Sequence, residues 1–212
     1  MRHEIALTCG VVLLALGAAG CGIFSSDNPV DTRRFFLLET VRPGRVDPPD
    51  AGPTLAVRRL QMSPRFDEKE LVYRTSDFAY ESDYYNQFLN AAGALIAEQT
   101  RRWVARAGLF AAVVSSGSDV LPTHVIEGNV TALYGDFRGD SARGVLGIEL
   151  FLIHAEADDG PAVVFHKDYR AAVDLSARTA EALVEAYNTG LGQILTEFEK
   201  DLRKRAAPAG PR

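Results

Sequence analysis

The residues that could support catalysis are few. Gly139-Asp140-Ser141 could carry a nucleophilic serine, but an ester-cleaving serine needs a histidine base and an orienting acid. The group of esterases with such a tripeptide supplies them from a nearby Asp-x-x-His, and no Asp-x-x-His occurs toward the C-terminus. The tripeptide falls between two segments of strand character, where turn chemistry explains it. No Gly-x-Ser-x-Gly is present. The histidines are His3, His124, His154 and His166, and the last three stand singly on predicted strands. None pairs with another at helical metal-ligand spacing, and cysteine is scarce. His154 with Glu156, Asp158 and Asp159 is a weak cation-binding set that reads better as a solvated turn. No glycine-rich phosphate loop is present, so the chain itself should not hydrolyse nucleotide. The expectation is no catalytic residue, no metal and no cofactor.

Cys21 is different. Arg2 begins a short positive region, and Ile5 to Ala19 is nearly free of polar groups. That run has signal-peptide length and is shorter than the roughly 20 residues a spanning helix needs. It ends in Ala18-Ala19-Gly20-Cys21. Small residues there let an extended chain enter a processing enzyme, and the cysteine directly after them can offer its thiolate to a lipid. The segment resembles the lipobox of bacterial lipoproteins, with Ala18 where that motif usually has Leu. The alternative is an ordinary secretory signal cut near Gly20. The only other cysteine, Cys9, would leave with the signal, so the mature chain could form no internal disulfide and would carry an unpaired thiol. Lipidation of Cys21 accounts for that thiol.

A third group is Tyr80, Glu81, Asp83, Tyr84 and Tyr85, in a stretch running from Phe78 to Phe88. Aromatics mixed with acids suit a partner-binding edge. They suit equally a packed corner where a strand becomes a helix.

The elements that must position these residues are legible in outline. Residues 22–31 read as a tether reaching on the order of 35 Å when extended. Prolines and glycines between 42 and 53 mark a turn-rich connection. Arg34–Thr40 reads as a buried strand, and Thr54–Gln61 and Leu71–Arg74 as two more. Thr123–Phe137, Val145–Ala155 and Val163–Val173 alternate apolar and polar residues and suggest an antiparallel meander. A helix is predicted over Tyr84–Ala107, with the stripe Leu89, Ala92, Ile96, Trp103 and Ala107, a Glu98–Arg102 pair, a cap at Ser82 or Asp83 and an end at Gly108. A second is predicted from about Ala177 to Arg205, capped by Ser176, with the stripe Ala180, Leu183, Tyr187, Leu191, Ile194, Phe198 and Leu202. Gly190 and Gly192 within it suggest close packing. Boundaries follow: 1–20 signal, 21–32 lipidated cysteine and tether, 33–205 one domain, 206–212 a disordered tail. The formal net charge of −5 and the lack of a basic stripe exclude nucleic acid as a partner. A 47% hydrophobic content provides a core without disulfides. The fold expected is α/β: a three-layer domain with one mixed sheet and two long helices.

Several stretches together resemble the ABC-type transport auxiliary lipoproteins, the PqiC-like lipoprotein component of Mce/MlaE-type lipid transport systems. They are Leu71-Val72-Tyr73-Arg74, Tyr80-Glu81-Ser82-Asp83-Tyr84-Tyr85-Asn86, Thr100-Arg101-Arg102-Trp103, Gly108-Leu109-Phe110, Glu127-Gly128-Asn129-Val130 and Leu133-Tyr134-Gly135-Asp136-Phe137. The resemblance spans roughly residues 33–204. It implies a fold like the N-terminal domain of TolB. It also implies a non-enzymatic periplasmic subunit that assists lipid movement between inner and outer membranes. Its partners would be an Mce-domain protein, an ABC permease and an ATPase, with the membrane reached through the N-terminal lipid; self-association is a further expectation. Gly22, where an inner-membrane lipoprotein of enteric-type bacteria usually has Asp, favours the outer membrane. The alternative is an outer-membrane lipoprotein that activates or scaffolds a cell-envelope enzyme.

Overall fold

The computed structural model describes residues 32–206, apart from 116 and 158. The signal, Cys21, the tether and residues 207–212 of the tail lie outside the described residues.

The meander is the frame of the domain. β7 (His124–Asp136), β8 (Arg143–His154) and β9 (Ala162–Asp174) pair antiparallel along their whole lengths. Three short strands lie end to end along the other edge of β7 and run parallel to it. These are β2 (Thr54–Val57), β3 (Gln61–Met62) and β4 (Glu70–Arg74). β6 (Ala112–Ser115) joins the outer edge of β2. β5 (Tyr80–Phe88) pairs antiparallel with β4, and β1 (Arg34–Phe36) closes that side of the sheet, parallel to β5. Among the described residues the result is one mixed sheet of nine strands with two helices, the fold class expected.

The helices are α1 (Ala92–Arg106) and α2 (Ala180–Ala206). All seven residues of the predicted α2 stripe, Ala180 to Leu202, are buried. They pack on the side of β8 and β9 that carries Gly144, Phe165 and Tyr169: Phe198 meets the rings of Phe165 and Tyr169 at 6.2 and 5.9 Å. α1 packs on β2, β3 and β6 and meets α2, to which Trp103 Nε1 donates at 2.9 Å, onto Glu199. The helices therefore lie side by side. A third layer exists only locally and is a loop: residues 63–69 lay Phe66 over Tyr134 and Tyr80 on the opposite face.

Two helix starts differ from expectation. α1 begins eight residues later than Tyr84, with no side-chain cap at Ala91, because residues 80–88 are spent on β5. Leu89, placed on the buried stripe, is about half exposed. α2 begins at Ala180, and the cap is Thr179, whose Oγ1 accepts from the Ala182 amide at 3.2 Å; Ser176 lies one turn too early. The Glu98–Arg102 pair forms at 2.7 Å, joined by Arg101. Gly108, at φ +63°, ends α1 as expected.

Close backbone approach decides two of the remaining glycines. A Cβ at Gly190 would sit 3.2 Å from that of Ala171, so α2 does press on β9 there. A Cβ at Gly93 would come within 2.3 Å of the Leu60 carbonyl oxygen. That neighbour is backbone and cannot rotate away. Gly93→Ala should therefore push α1 off β3 and destabilise the domain by about 1–3 kcal/mol, read as a lower denaturant midpoint at unchanged slope.

Between β1 and the turn-rich connection, residues 38–42 are laced to both helices. Leu38 is buried. The Glu39 amide donates to Asn188 Oδ1 of α2 at 2.9 Å, and the Thr40 amide to Gln99 Oε1 of α1 at 3.2 Å. The Arg42 guanidinium forms a two-pronged pair with Glu199 of α2, at 2.7 and 2.9 Å. Arg34–Thr40, expected as one buried strand, is thus a three-residue strand followed by a side-chain-bonded strap.

A candidate docking edge on the outer strands

β5 alternates its residues across the sheet, and this separates the predicted site residues. Tyr80 points to the face away from the helices, where its ring meets Tyr134 at 5.7 Å and Phe66 at 6.2 Å. Arg74 lies 5.7 Å from its centroid. Tyr80 is therefore mainly a packing residue. Glu81 lies on an exposed strand position opposite Tyr73.

Asp83, Tyr84 and Tyr85 form a structural unit. The register between β4 and β5 jumps from Leu71↔Asp83 to Glu70↔Gln87, so three residues, 84–86, bulge out of the β4 pairing. Asp83 holds the bulge. Its Oδ1 accepts from the amides of Tyr85 and Asn86 at 3.0 and 3.1 Å. Its Oδ2 accepts from the Tyr73 hydroxyl at 2.9 Å and the Asn86 side-chain amide at 2.7 Å. Burial, together with donation to Asp83, raises the Tyr73 phenol well above its ordinary pKa, so it remains a donor at all physiological pH values. The carboxylate that looked like a helix cap thus bends a strand instead.

The bulge displays two aromatic rings. Tyr84 and Tyr85 meet edge to face at 5.3 Å and remain 54% and 44% exposed. Arg33, the residue before β1, lies 4.1 Å over the Tyr84 ring and donates to its hydroxyl. Further along the same two strands, Phe35, opposite Gln87, and Leu37 and Leu89 beyond it are also exposed. Leu89 reaches this edge because its amide donates to the Phe36 carbonyl at 2.8 Å. Sequence reading missed these three apolar residues. The signal was present in the alternation 35 out, 36 in, 37 out, 38 in, within a run that is apolar throughout.

β1 is the outermost strand and pairs with β5 only over residues 86–88. Strand edges beside exposed apolar side chains are sites where another chain can add. Among the described residues, cavities of about 620 and 450 Å³ lie against Trp103, and a smaller one of about 280 Å³ is lined by Pro53, Leu109, Phe110, Leu152, Val164 and Leu202 together with His124 and Arg205. That smaller cavity is at the lower limit for a small-molecule site and lies at another end of the sheet.

The other candidates take structural places. Gly139-Asp140-Ser141 lies in the β7–β8 turn, where Arg178 donates to the carbonyls of Gly139 and Asp140. His124 and His154 face each other in register and stack at 4.8 Å; burial lowers the His124 pKa. No described helix is long and apolar enough to cross a membrane.

No family model and no curated protein matches the chain. Solved structures do. A protein from Xanthomonas campestris described as a DUF330 family member matches with TM-score 0.65 at 17% identity, over 79% of this chain and 97% of that one. An uncharacterised protein matches with TM-score 0.64 at 13% identity, over 81% and 99%. A candidate lipoprotein from Caulobacter crescentus matches with TM-score 0.42 at 18% identity, over 55% and 84%. At these identities the first two likenesses establish a shared fold: the chain has the architecture seen in a DUF330 protein.

Proposed function

We propose that the chain is a lipid-anchored protein on the periplasmic side of the cell envelope, and a non-catalytic subunit of an Mce-type lipid transporter. In this reading it docks the Mce-domain protein through the β1–β5 edge while Cys21 holds it to a membrane. The rigid bulge at Asp83 carries the reading. It holds the backbone that carries the exposed Tyr84 and Tyr85, and Phe35, Leu37 and Leu89 are exposed further along the same edge. Tyrosines held this way can bind a partner at small entropic cost. Support comes also from the DUF330 fold, the family of the PqiC-like lipoproteins that the sequence resembles.

The test is co-purification from detergent-solubilised membranes. The native chain should bring down the Mce-domain protein with its permease and ATPase. The Tyr84→Ala, Tyr85→Ala double variant should recover at least about tenfold less, since two interface tyrosines can each contribute 1–2 kcal/mol. Absence of any Mce protein with the native chain overturns the reading, and recovery of a cell-wall enzyme in its place supports the activator alternative.

A further inference from the structure

We propose that Glu149, His166 and Asp168 form a binding site for one divalent transition-metal ion, such as Zn²⁺, on the sheet face opposite the helices. The site is independent of the docking edge.

Strand register assembles it. Asn129, Glu149 and Asp168 occupy one row across β7, β8 and β9, and Glu127, Phe151 and His166 occupy the next row on the same face. His166 reaches diagonally from its row to Glu149, with Nε2 2.8 Å from Oε1. One potential ligand atom from each of Glu149, His166 and Asp168 lies within 4.8 Å of the others. One imidazole and two carboxylates form a nitrogen–oxygen donor set that suits Zn²⁺ and its neighbours, and three protein ligands leave a position for water.

Two further contacts set this group apart from a chance meeting of surface charges. Glu149 Oε2 accepts from the Asn129 side-chain amide at 2.6 Å, which leaves Oε1 directed at His166. The His166 ring stacks on Phe151 at 4.4 Å with planes 10° apart, which fixes the direction of Nε2. These are the outer contacts that hold metal ligands in orientation. Bonds of about 2.0–2.1 Å in tetrahedral geometry place ligand atoms roughly 3.3 Å apart. The His166–Glu149 pair must then open by about half an ångström and Asp168 must swing inward. His166 and Asp168 are exposed, so these shifts disturb no core packing. The ion would tie the edge strand β9 to β8.

The test is titration of the purified full-length lipidated protein in detergent with Zn²⁺, read by calorimetry. Lipid on Cys21 blocks its thiol as a competing ligand; a Cys21→Ser chain gives a second preparation without the thiol. The expected result is one Zn²⁺ per chain with Kd in the micromolar range or tighter. His166→Ala should weaken binding at least about tenfold, and Glu149→Gln comparably. His154→Ala, at the other histidine pair, should leave it unchanged. Thermal unfolding without metal should match for native and His166→Ala chains, showing that the fold is intact. Undiminished binding in His166→Ala, or no saturable binding up to about 100 µM, overturns the proposal.

Discussion

Replacing Glu199 by Ala should cost about 3–5 kcal/mol, the range for breaking a buried ion pair from one side. The Glu199 and Arg42 side chains are each only 12% exposed. The Glu199 carboxylate accepts from Arg42 twice, from Trp103 Nε1 at 2.9 Å, and from Arg203 at 3.0 and 2.7 Å. Its loss leaves Nε and Nη2 of Arg42 and the indole N–H of Trp103 without their acceptor, while Arg42 Nη1 keeps the Pro43 and Gly44 carbonyls. Thermal unfolding should show the drop directly. Arg42→Ala added to Glu199→Ala should cost less than the sum of the two singles, because the second change removes the stranded charge. Nearly additive losses would show that the two residues act separately.

The same carboxylate makes stability pH-dependent. The Arg42 guanidinium, then Arg203 and Trp103, hold its pKa at about 2 against an ordinary 4.5. A depressed carboxylate contributes its full stabilisation above its unfolded pKa and loses it as pH falls through the folded one. The native chain should therefore lose stability between about pH 4.5 and pH 2, and the Glu199→Ala chain should lose less over that interval. Because Arg42 ends the strap that follows β1, this network also fixes the outer edge that carries Phe35 and Leu37. Loosening it should weaken partner capture as well as stability.

What could be read from the sequence divides along the range of the interactions involved. The meander and both apolar helix stripes are local patterns, with periods of two and 3.6, and they were legible. Residues 80–89 were not, because two local patterns compete there. Ser82 and Asp83 look like caps, and Leu89 stands three residues before Ala92, which fits a helical stripe. The bulge at 84–86 breaks strand alternation at the same place. Only pairing with β4, distant in the local pattern, decides for strand, and the Asp83 carboxylate then serves the bulge. β6 was missed because four residues, Ala112–Ser115, are too short to show a period. The metal-ligating set was invisible for a related reason. His166 and Asp168 are two apart on one strand and so share a face, and Glu149 is on another strand; their meeting depends on which residue of β8 opposes which residue of β9.

Cys21→Ser should move the protein from the membrane fraction to the soluble fraction while leaving its unfolding temperature unchanged. The size of the effect follows from lipid energetics. Each buried CH₂ contributes about 0.8 kcal/mol, one acyl chain gives marginal binding, and more than one is needed for a lasting anchor. Nothing else in the described domain replaces that: no helix there is long and apolar enough to cross a membrane. The exposed residues Tyr84, Tyr85, Phe35, Leu37 and Leu89 are the proposed patch for a protein partner. The native chain should resist a high-salt wash and yield to detergent, because a lipid anchor is insensitive to screening. If both chains are soluble, the signal is cut near Gly20 without lipidation. If the serine chain stays with the membrane and salt releases it, a protein partner holds it there, and the Tyr84→Ala, Tyr85→Ala change should then free it. Fractionating all three chains thus separates the proposed anchor at Cys21 from the proposed dock at Tyr84 and Tyr85.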